Sequence, residues 1–170
     1  MGKNYKRKGC DKVISLDQWT PEAIEEHLIK QDEKLRIAQL KRSDMVSRQV
    51  KVFERVAEKL SSAINFFKER QHSFVHPENL AHSDLGPVVG YDNQTSTLYV
   101  YDNEINYVFK INLYNKEQTT ISIEEFLEEQ DFDIAIAGLL KVLSLHEHYI
   151  QKIDSDTEKR YHSVEKYKFF

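Results

Sequence analysis

The sequence predicts an α+β protein: a long basic helical hairpin or rod in the N-terminal half, then a three-stranded antiparallel meander and two C-terminal helices. Three observations carry this prediction. From Ala23 to Gln71 the chain contains neither glycine nor proline, which is typical of helix. Residues 87–114 change to a period of two with turn residues between the runs, which indicates strands. After residue 121 the helical period returns.

The helical region opens with a clear start signal. Thr20 is suited to cap a helix, Pro21 suits the first helical position, and Glu22 favours the positive end of the helix dipole. We expect two helices, about 21–41 and 44–72, with Ser43 or Asp44 capping the second. They would form either a hairpin or one long rod with a phase shift, and the sequence leaves both open.

An apolar stripe at a 4-3-4-3-4-3 spacing defines the second of these helices. Its members are Val46, Val50, Phe53, Ala57, Leu60, Ile64 and Phe67. Carried backward at the same spacing, the stripe meets polar residues, which is the reason to expect a break. A stripe of this kind must be covered, by this chain, by a second copy or by another molecule.

A second stripe of equal length makes cover by the same chain the first expectation. It runs through Phe132, Ile136, Leu139, Leu143, His146, Ile150 and Ile153, on a predicted helix at about 133–153. Two such helices packed along their seams would form the spine of the fold. In that arrangement His146 is a hydrogen-bonded core histidine.

The meander is predicted at 87–91, 97–101 and 106–114. Asp92-Asn93-Gln94 and Asp102-Asn103-Glu104 supply the turn residues between its strands. Residues 73–85 are expected to form a loop that contains Pro77. Ser122 and Glu125 have the spacing of a capping box, which predicts a short helix after the meander.

Charge divides the chain into three regions: a basic arm at 1–20, a helical or coiled-coil-like region at 21–72, and an acidic region at 73–170 that forms one compact unit with the helices. Residues 1–72 hold 16 Lys and Arg against 11 Asp and Glu, whereas residues 73–154 hold 4 against 14. Opposed charges of this kind suit contacts with other macromolecules or with a second copy.

Composition points to the interior of a cell. The single cysteine, Cys10, excludes an internal disulfide framework, and the first ten residues contain no apolar segment of a secretory signal. No run approaches the roughly 18 apolar residues that a membrane span needs. We therefore expect no membrane association and a place in the cytoplasm, or inside a host cell or virion.

The sequence predicts no catalytic, cofactor or metal site. Its five glycines are not clustered, so it has no phosphate-binding loop. His72 and His76 have the i, i+4 spacing of zinc ligands, but Pro77 opposes a helix there. His146 and His148 lie two apart, so on a helix they point in different directions.

The function that this pattern favours is a non-enzymatic protein-binding or assembly protein, such as a phage- or mobile-element-type accessory, inhibitor or structural subunit, whose partner is another protein or a second copy in a homo-oligomer. Its interface would combine the helical stripe, the acidic helix and the aromatic C-terminus. The predicted interface residues are Val46, Val50, Phe53, Leu60, Ile64, Phe67, Glu124, Glu125, Glu128, Glu129, Phe169 and Phe170.

Two alternatives remain open. The first is a nucleic-acid-binding protein in which basic residues contact phosphates, namely Lys3, Lys6, Arg7, Lys8, Lys41 and Arg42. The second is a metal-dependent hydrolase or nuclease built around Asp92, Asp102, Glu104 and Lys110 of the meander.

Overall fold

The computed structural model describes residues 20–78 and 81–168 and confirms the α+β class. In chain order its elements are α1 (Pro21–Glu69), β1 (Phe74–Val75), β2 (His82–Ser83), β3 (Val88–Asp92), β4 (Thr97–Asp102), β5 (Tyr107–Asn112), β6 (Gln118–Ile121), α2 (Ile123–Glu129), α3 (Phe132–Leu140), a 3₁₀ turn (Lys141–Ser144) and α4 (Leu145–Lys166).

Helix α1 is continuous, so the predicted break near residue 43 is wrong. The Thr20 hydroxyl accepts a hydrogen bond from the Ala23 amide at 3.2 Å and caps the helix as expected. Asp44 does not cap a second helix but forms an ion pair with Arg48 at 2.9 Å. A straight helix drifts by about 20° per heptad against a 3.5-residue repeat, so a stripe that loses its heptad register does not require a break.

The chain divides into two compact units, Met1–Ser43 and Asp44–Phe170. In the first unit the described residues, 20–43, belong to α1 apart from its cap, and every one of them is exposed. The second unit contains the rest of α1, both sheets and the C-terminal helices.

The main sheet is an antiparallel meander in the order β3-β4-β5-β6. The three predicted strands are present, and a fourth, β6, pairs with β5 so that Val108 lies opposite Ile121. The region expected to be a loop contains a further two-residue hairpin, in which Phe74 pairs with Ser83.

The three turns of the meander repeat one chemistry at ten-residue intervals. Asp92, Asp102 and Asn112 each accept a hydrogen bond from the backbone amide two residues later, at 2.8–2.9 Å. Four residues after each of them stands a residue with positive φ, namely Ser96 (49°), Asn106 (56°) and Lys116 (61°). This repeated pattern marks the turn that leads into the fourth strand.

The core lies between the second part of α1, one face of the meander, α2 and α3. Phe53 is 0% exposed, and its ring makes edge contacts with Tyr101 at 5.3 Å and with Phe126 at 6.1 Å. Helix α2 begins with the predicted capping box, in which Ser122 and Glu125 bond each other's backbone amides. This box fixes the point at which Phe126 enters the core.

The predicted helix at 133–153 is two helices joined by a 3₁₀ turn. Leu139, Val142 and Leu145 are all buried, and they follow one another at intervals of three residues. Three residues per turn is the repeat of a 3₁₀ helix, so the tighter turn keeps these side chains on the core side. Leu143, in contrast, is 68% exposed.

Candidate interaction surfaces

The stripe at residues 46–67 is core, which corrects its prediction as an interface. Val46, Phe53, Leu60, Ile64 and Phe67 are buried within this chain, and Val50 is half-buried. Cover by the same chain is thus confirmed, but the cover is the sheet with α2 and α3. The second stripe meets this core only in its first part, where Leu139 is buried in the same cluster and His146 contacts Phe67. Leu143, Ile150 and Ile153 are exposed.

The predicted acidic residues of α2 are exposed, and two of them are engaged within the fold. Glu125 belongs to the capping box. Glu129 accepts hydrogen bonds from Lys110 at 2.8 Å and from the Tyr99 hydroxyl at 3.0 Å. The bond to Glu129 raises the pKa of Lys110, and burial together with Glu129 raises that of Tyr99. Glu124 and Glu128 are exposed on the same helix.

The meander residues of the hydrolase alternative form separate groups instead of one site, which corrects the arrangement on which that alternative rested. Asp92 ends β3 and Asp102 ends β4, and these strands are antiparallel, so the two residues lie at opposite ends of the sheet. Asp92 accepts a hydrogen bond from Thr95, whereas Asp102 and Glu104 both pair with Lys68, at 3.1 Å and 3.4 Å. Lys110 is bonded to Glu129 rather than to either aspartate.

His76 and His146 have structural contacts in two different parts of the fold. His76 is 2% exposed; its Nε2 lies 3.2 Å from the Ile134 carbonyl, and its Nδ1 accepts a bond from the Glu78 amide at 3.1 Å. His146 is exposed, with its ring centroid 4.8 Å from that of Phe67, so its prediction as a core histidine is wrong. Within residues 20–78 and 81–168, no three His, Cys, Asp or Glu side chains are grouped to hold a metal ion.

A cleft of about 360 Å³ lies between the small hairpin and the start of α4. Its lining residues are Ser73, Val75, His82, His148, Tyr149 and Lys152. Both of its hydroxyl groups are engaged: Ser73 donates to Asp84, and Tyr149 donates to the Ser73 carbonyl. Burial raises the pKa of the Tyr149 hydroxyl.

The first part of α1 carries an exposed apolar face, here called the N-terminal face, made of Ile24, Leu28, Leu35 and Ala38. These positions fall on one side of a helix because they follow one another at intervals of four, seven and three residues. Leu28 is 61% exposed and Leu35 is 56% exposed. An apolar stripe on a helix is normally buried against the core, but these two leucines are not.

Helix α4 carries a second exposed face, here called the α4 face: Ile150, Ile153, Thr157, Tyr161 and Val164. Their spacing of 3-4-4-3 places them on one side of the helix. Ile153 is 63% exposed and Val164 is 68% exposed. The sequence predicted Ile150 and Ile153 as apolar positions, but the continuation through Tyr161 and Val164 was missed. The 3-4-4-3 spacing could have indicated it.

The residues predicted to contact nucleic acid fall in two groups. Lys41 and Arg42 are exposed on α1. Lys3, Lys6, Arg7 and Lys8 lie outside the described residues, as do the predicted interface residues Phe169 and Phe170.

Comparisons with protein-family models, with curated proteins and with solved structures gave no match to this chain. In the part of the chain that the structure describes, none of the helices combines the length and the apolar character needed to cross a bilayer.

Proposed function

We propose that this chain is a non-enzymatic protein-binding or assembly protein that acts through exposed apolar faces of its helices. The observation that supports this proposal most directly is the N-terminal face of α1, where large apolar side chains repeat at helical spacing and stay exposed. Single exposed apolar residues are ordinary on protein surfaces, but a repeated set on one helix side is typical of a binding face.

Burial of this face against a partner would also be energetically favourable. Full burial of a leucine or isoleucine side chain is worth about 1.5–3 kcal/mol. Ile24, Leu28 and Leu35 therefore offer a partner a substantial gain on contact. An amphipathic helix laid against an apolar groove or a second helix is an established mode of recognition that uses anchors at this spacing.

The proposal is tested with the paired substitutions Leu28→Gln and Leu35→Gln. Leucine and glutamine have similar helix propensities, so α1 is retained while the apolar face is lost. We expect the tagged double variant to lose its specific partner in affinity capture from native cells, or to lose self-association in light scattering.

A matched control places glutamines on the same helix away from this face, as Lys30→Gln with Lys34→Gln. Circular dichroism establishes equal helix content in all three proteins. Equal capture and equal mass for the wild type and the leucine variant would refute a binding role for the N-terminal face.

A second candidate, nucleic-acid binding, has its own supporting observation. Arg48, Arg55 and Lys59 are exposed and lie on one side of α1 at intervals of seven and four residues. If these residues neutralise phosphates, retention on DNA or RNA should fall steeply with salt, and Arg55→Glu with Lys59→Glu should abolish it. Retention that the Leu28 and Leu35 substitutions leave intact would favour this candidate over the first.

A further inference from the structure

We infer that the α4 face is a self-association surface, which pairs with the same face of a second copy in antiparallel orientation. This inference rests on the proposed assembly function and names one partner, another molecule of this chain. It is carried by three features of α4 itself: the exposure of the face, the symmetry of its spacing and the distribution of charge along the helix.

Among the described residues of the second unit, none covers the α4 face, so it is accessible to a second copy. From Ile150 onward the described residues of α4 are exposed, with the exception of Glu165, which is intermediate. Leu145, at the start of the helix, is buried, so the helix is anchored at one end while its apolar side meets solvent further on. At a rise of about 1.5 Å per residue, the face from Ile150 to Val164 is about 21 Å long.

The spacing of the face is the same in both directions. The intervals 3-4-4-3 are symmetric about Thr157, so a second helix running the opposite way presents its apolar residues at matching heights. An antiparallel pair centred on Thr157 would place Ile150 against Val164 of the other copy, and Ile153 against Tyr161. The small threonine in the centre permits close approach of the two helix axes.

Charge decides the orientation. Residues 147–158 contain four carboxylates and one lysine, a net charge of −3, whereas residues 159–168 contain four cations and one carboxylate, a net charge of +3. Antiparallel pairing sets the acidic half of one helix beside the basic half of the other. Parallel pairing in register would set acidic against acidic and basic against basic, which opposes association.

The flanking positions show the same complementarity residue by residue. Beside the face, Asp156 of one helix would stand next to Arg160 of the other, and the two-fold axis repeats this pair. Glu147 would stand opposite Lys168 at the end of the overlap. Within one chain Arg160 already binds Asp156 at 2.7 Å, and both side chains are exposed, so exchange between intramolecular and intermolecular partners is possible.

The first experiment measures the mass of the full chain by sedimentation equilibrium from about 10 to about 500 µM. We expect a shift from the 20.1 kDa monomer toward twice that mass as concentration rises. Ile153→Glu with Val164→Glu should weaken association at least tenfold. The matched control, Gln151→Glu with Ser155→Glu, introduces the same charges on the opposite side of α4 and should weaken it less than threefold.

The second experiment tests orientation by cross-linking in a Cys10→Ser background. In an antiparallel pair, a mixture of Ile150→Cys and Val164→Cys chains should form a disulfide-linked dimer, whereas each variant alone should not. Asp156→Arg alone should weaken the dimer, because the new arginine would lie next to Arg160 of the other copy and repel it. Adding Arg160→Asp to the same chain should restore the dimer.

Three results would overturn the inference: a monomer at all concentrations, a dimer that Ile153→Glu with Val164→Glu leaves unchanged, or cross-linking of each single cysteine variant with itself but not in the mixture. The proposed function fails separately, because it depends on the N-terminal face of α1 and on the Leu28 and Leu35 variants. A chain that stays monomeric at all concentrations and still captures a partner through the N-terminal face of α1 would refute only the inference about α4.

Discussion

Gly138 is a position where the fold has no room for a side chain. It lies in α3 where that helix crosses β3, and a β-carbon there would stand 2.2 Å from the Val88 carbonyl oxygen and 2.9 Å from the Val89 α-carbon. Both of these are backbone atoms, which cannot rotate away. The side chain of His76 closes the same space at 3.0 Å.

We therefore predict that Gly138→Ala destabilises the protein by about 1–3 kcal/mol, although alanine is the better helix former. Urea unfolding measures the loss. Gly90→Ala is the matched control, because its added carbon would meet only side-chain atoms, at 3.3 Å or more. Equal losses for the two variants would show that the contact between α3 and β3 is not the cause.

At the scale of single elements, the start of α2 depends on an ionised group. The backbone amide and the hydroxyl of Ser122 both donate to Glu125, and these bonds lower the pKa of its carboxyl because they stabilise the charged form. A carboxyl with a lowered pKa contributes stability above its unfolded-state value, and this contribution is lost as the pH falls through the folded-state value.

The variant Glu125→Gln keeps the capping geometry but removes the charge. We predict that the wild type is more stable than this variant at neutral pH, and that the difference shrinks toward zero as the pH is lowered from about 7 to about 3. Urea midpoints at a series of pH values measure the effect. A difference that does not change with pH would contradict the assigned ionisation.

Individual elements also show how far the sequence could predict this fold. Local signals were sufficient where one element carries its own pattern, as in the Ser122 capping box and the alternation around Phe109. The fourth strand was missed because residues 118–121 are polar and short, although Asn112 repeats the turn chemistry of Asp92 and Asp102. The 3₁₀ turn was missed because its cause, the burial of Val142 and Leu145 against the core, is tertiary.

The candidate surfaces were predicted less well, for a related reason. An apolar stripe indicates that a helix side needs cover, but its spacing does not identify the cover. The stripe through Phe53 was predicted both to be covered by this chain and to serve as an interface, and it is buried. The second stripe was predicted to be covered along its whole length, but it is buried at Leu139 and exposed at Ile150 and Ile153. Only the three-dimensional neighbours distinguish the two, since both helices present the same periodicity.

At the scale of the whole molecule, the second part of α1 is a structural member of the core. Phe53 has no exposed surface and joins α1 to Tyr101 of β4 and Phe126 of α2. Because several elements meet on this one ring, its removal leaves a cavity that none of them can fill alone.

We predict that Phe53→Ala lowers the free energy of unfolding by about 3–5 kcal/mol and does not dissociate an otherwise folded oligomer. Phe66→Ala on the same helix is the control, and it should cost less because Phe66 is 37% exposed. Calorimetry combined with light scattering separates the two effects. A folded monomer produced from an oligomer by Phe53→Ala would contradict the core assignment.

The ten-residue repeat of turns in the meander has a kinetic consequence. Every strand of the main sheet pairs only with its neighbours along the chain, so each pairing closes a short loop. Contacts between α1 and the sheet, in contrast, join residues several tens of positions apart. Since short-range contacts form fastest, we expect the hairpins of the meander to form first, one after another along the chain. The docking of α1 onto the sheet is then the slow step of folding.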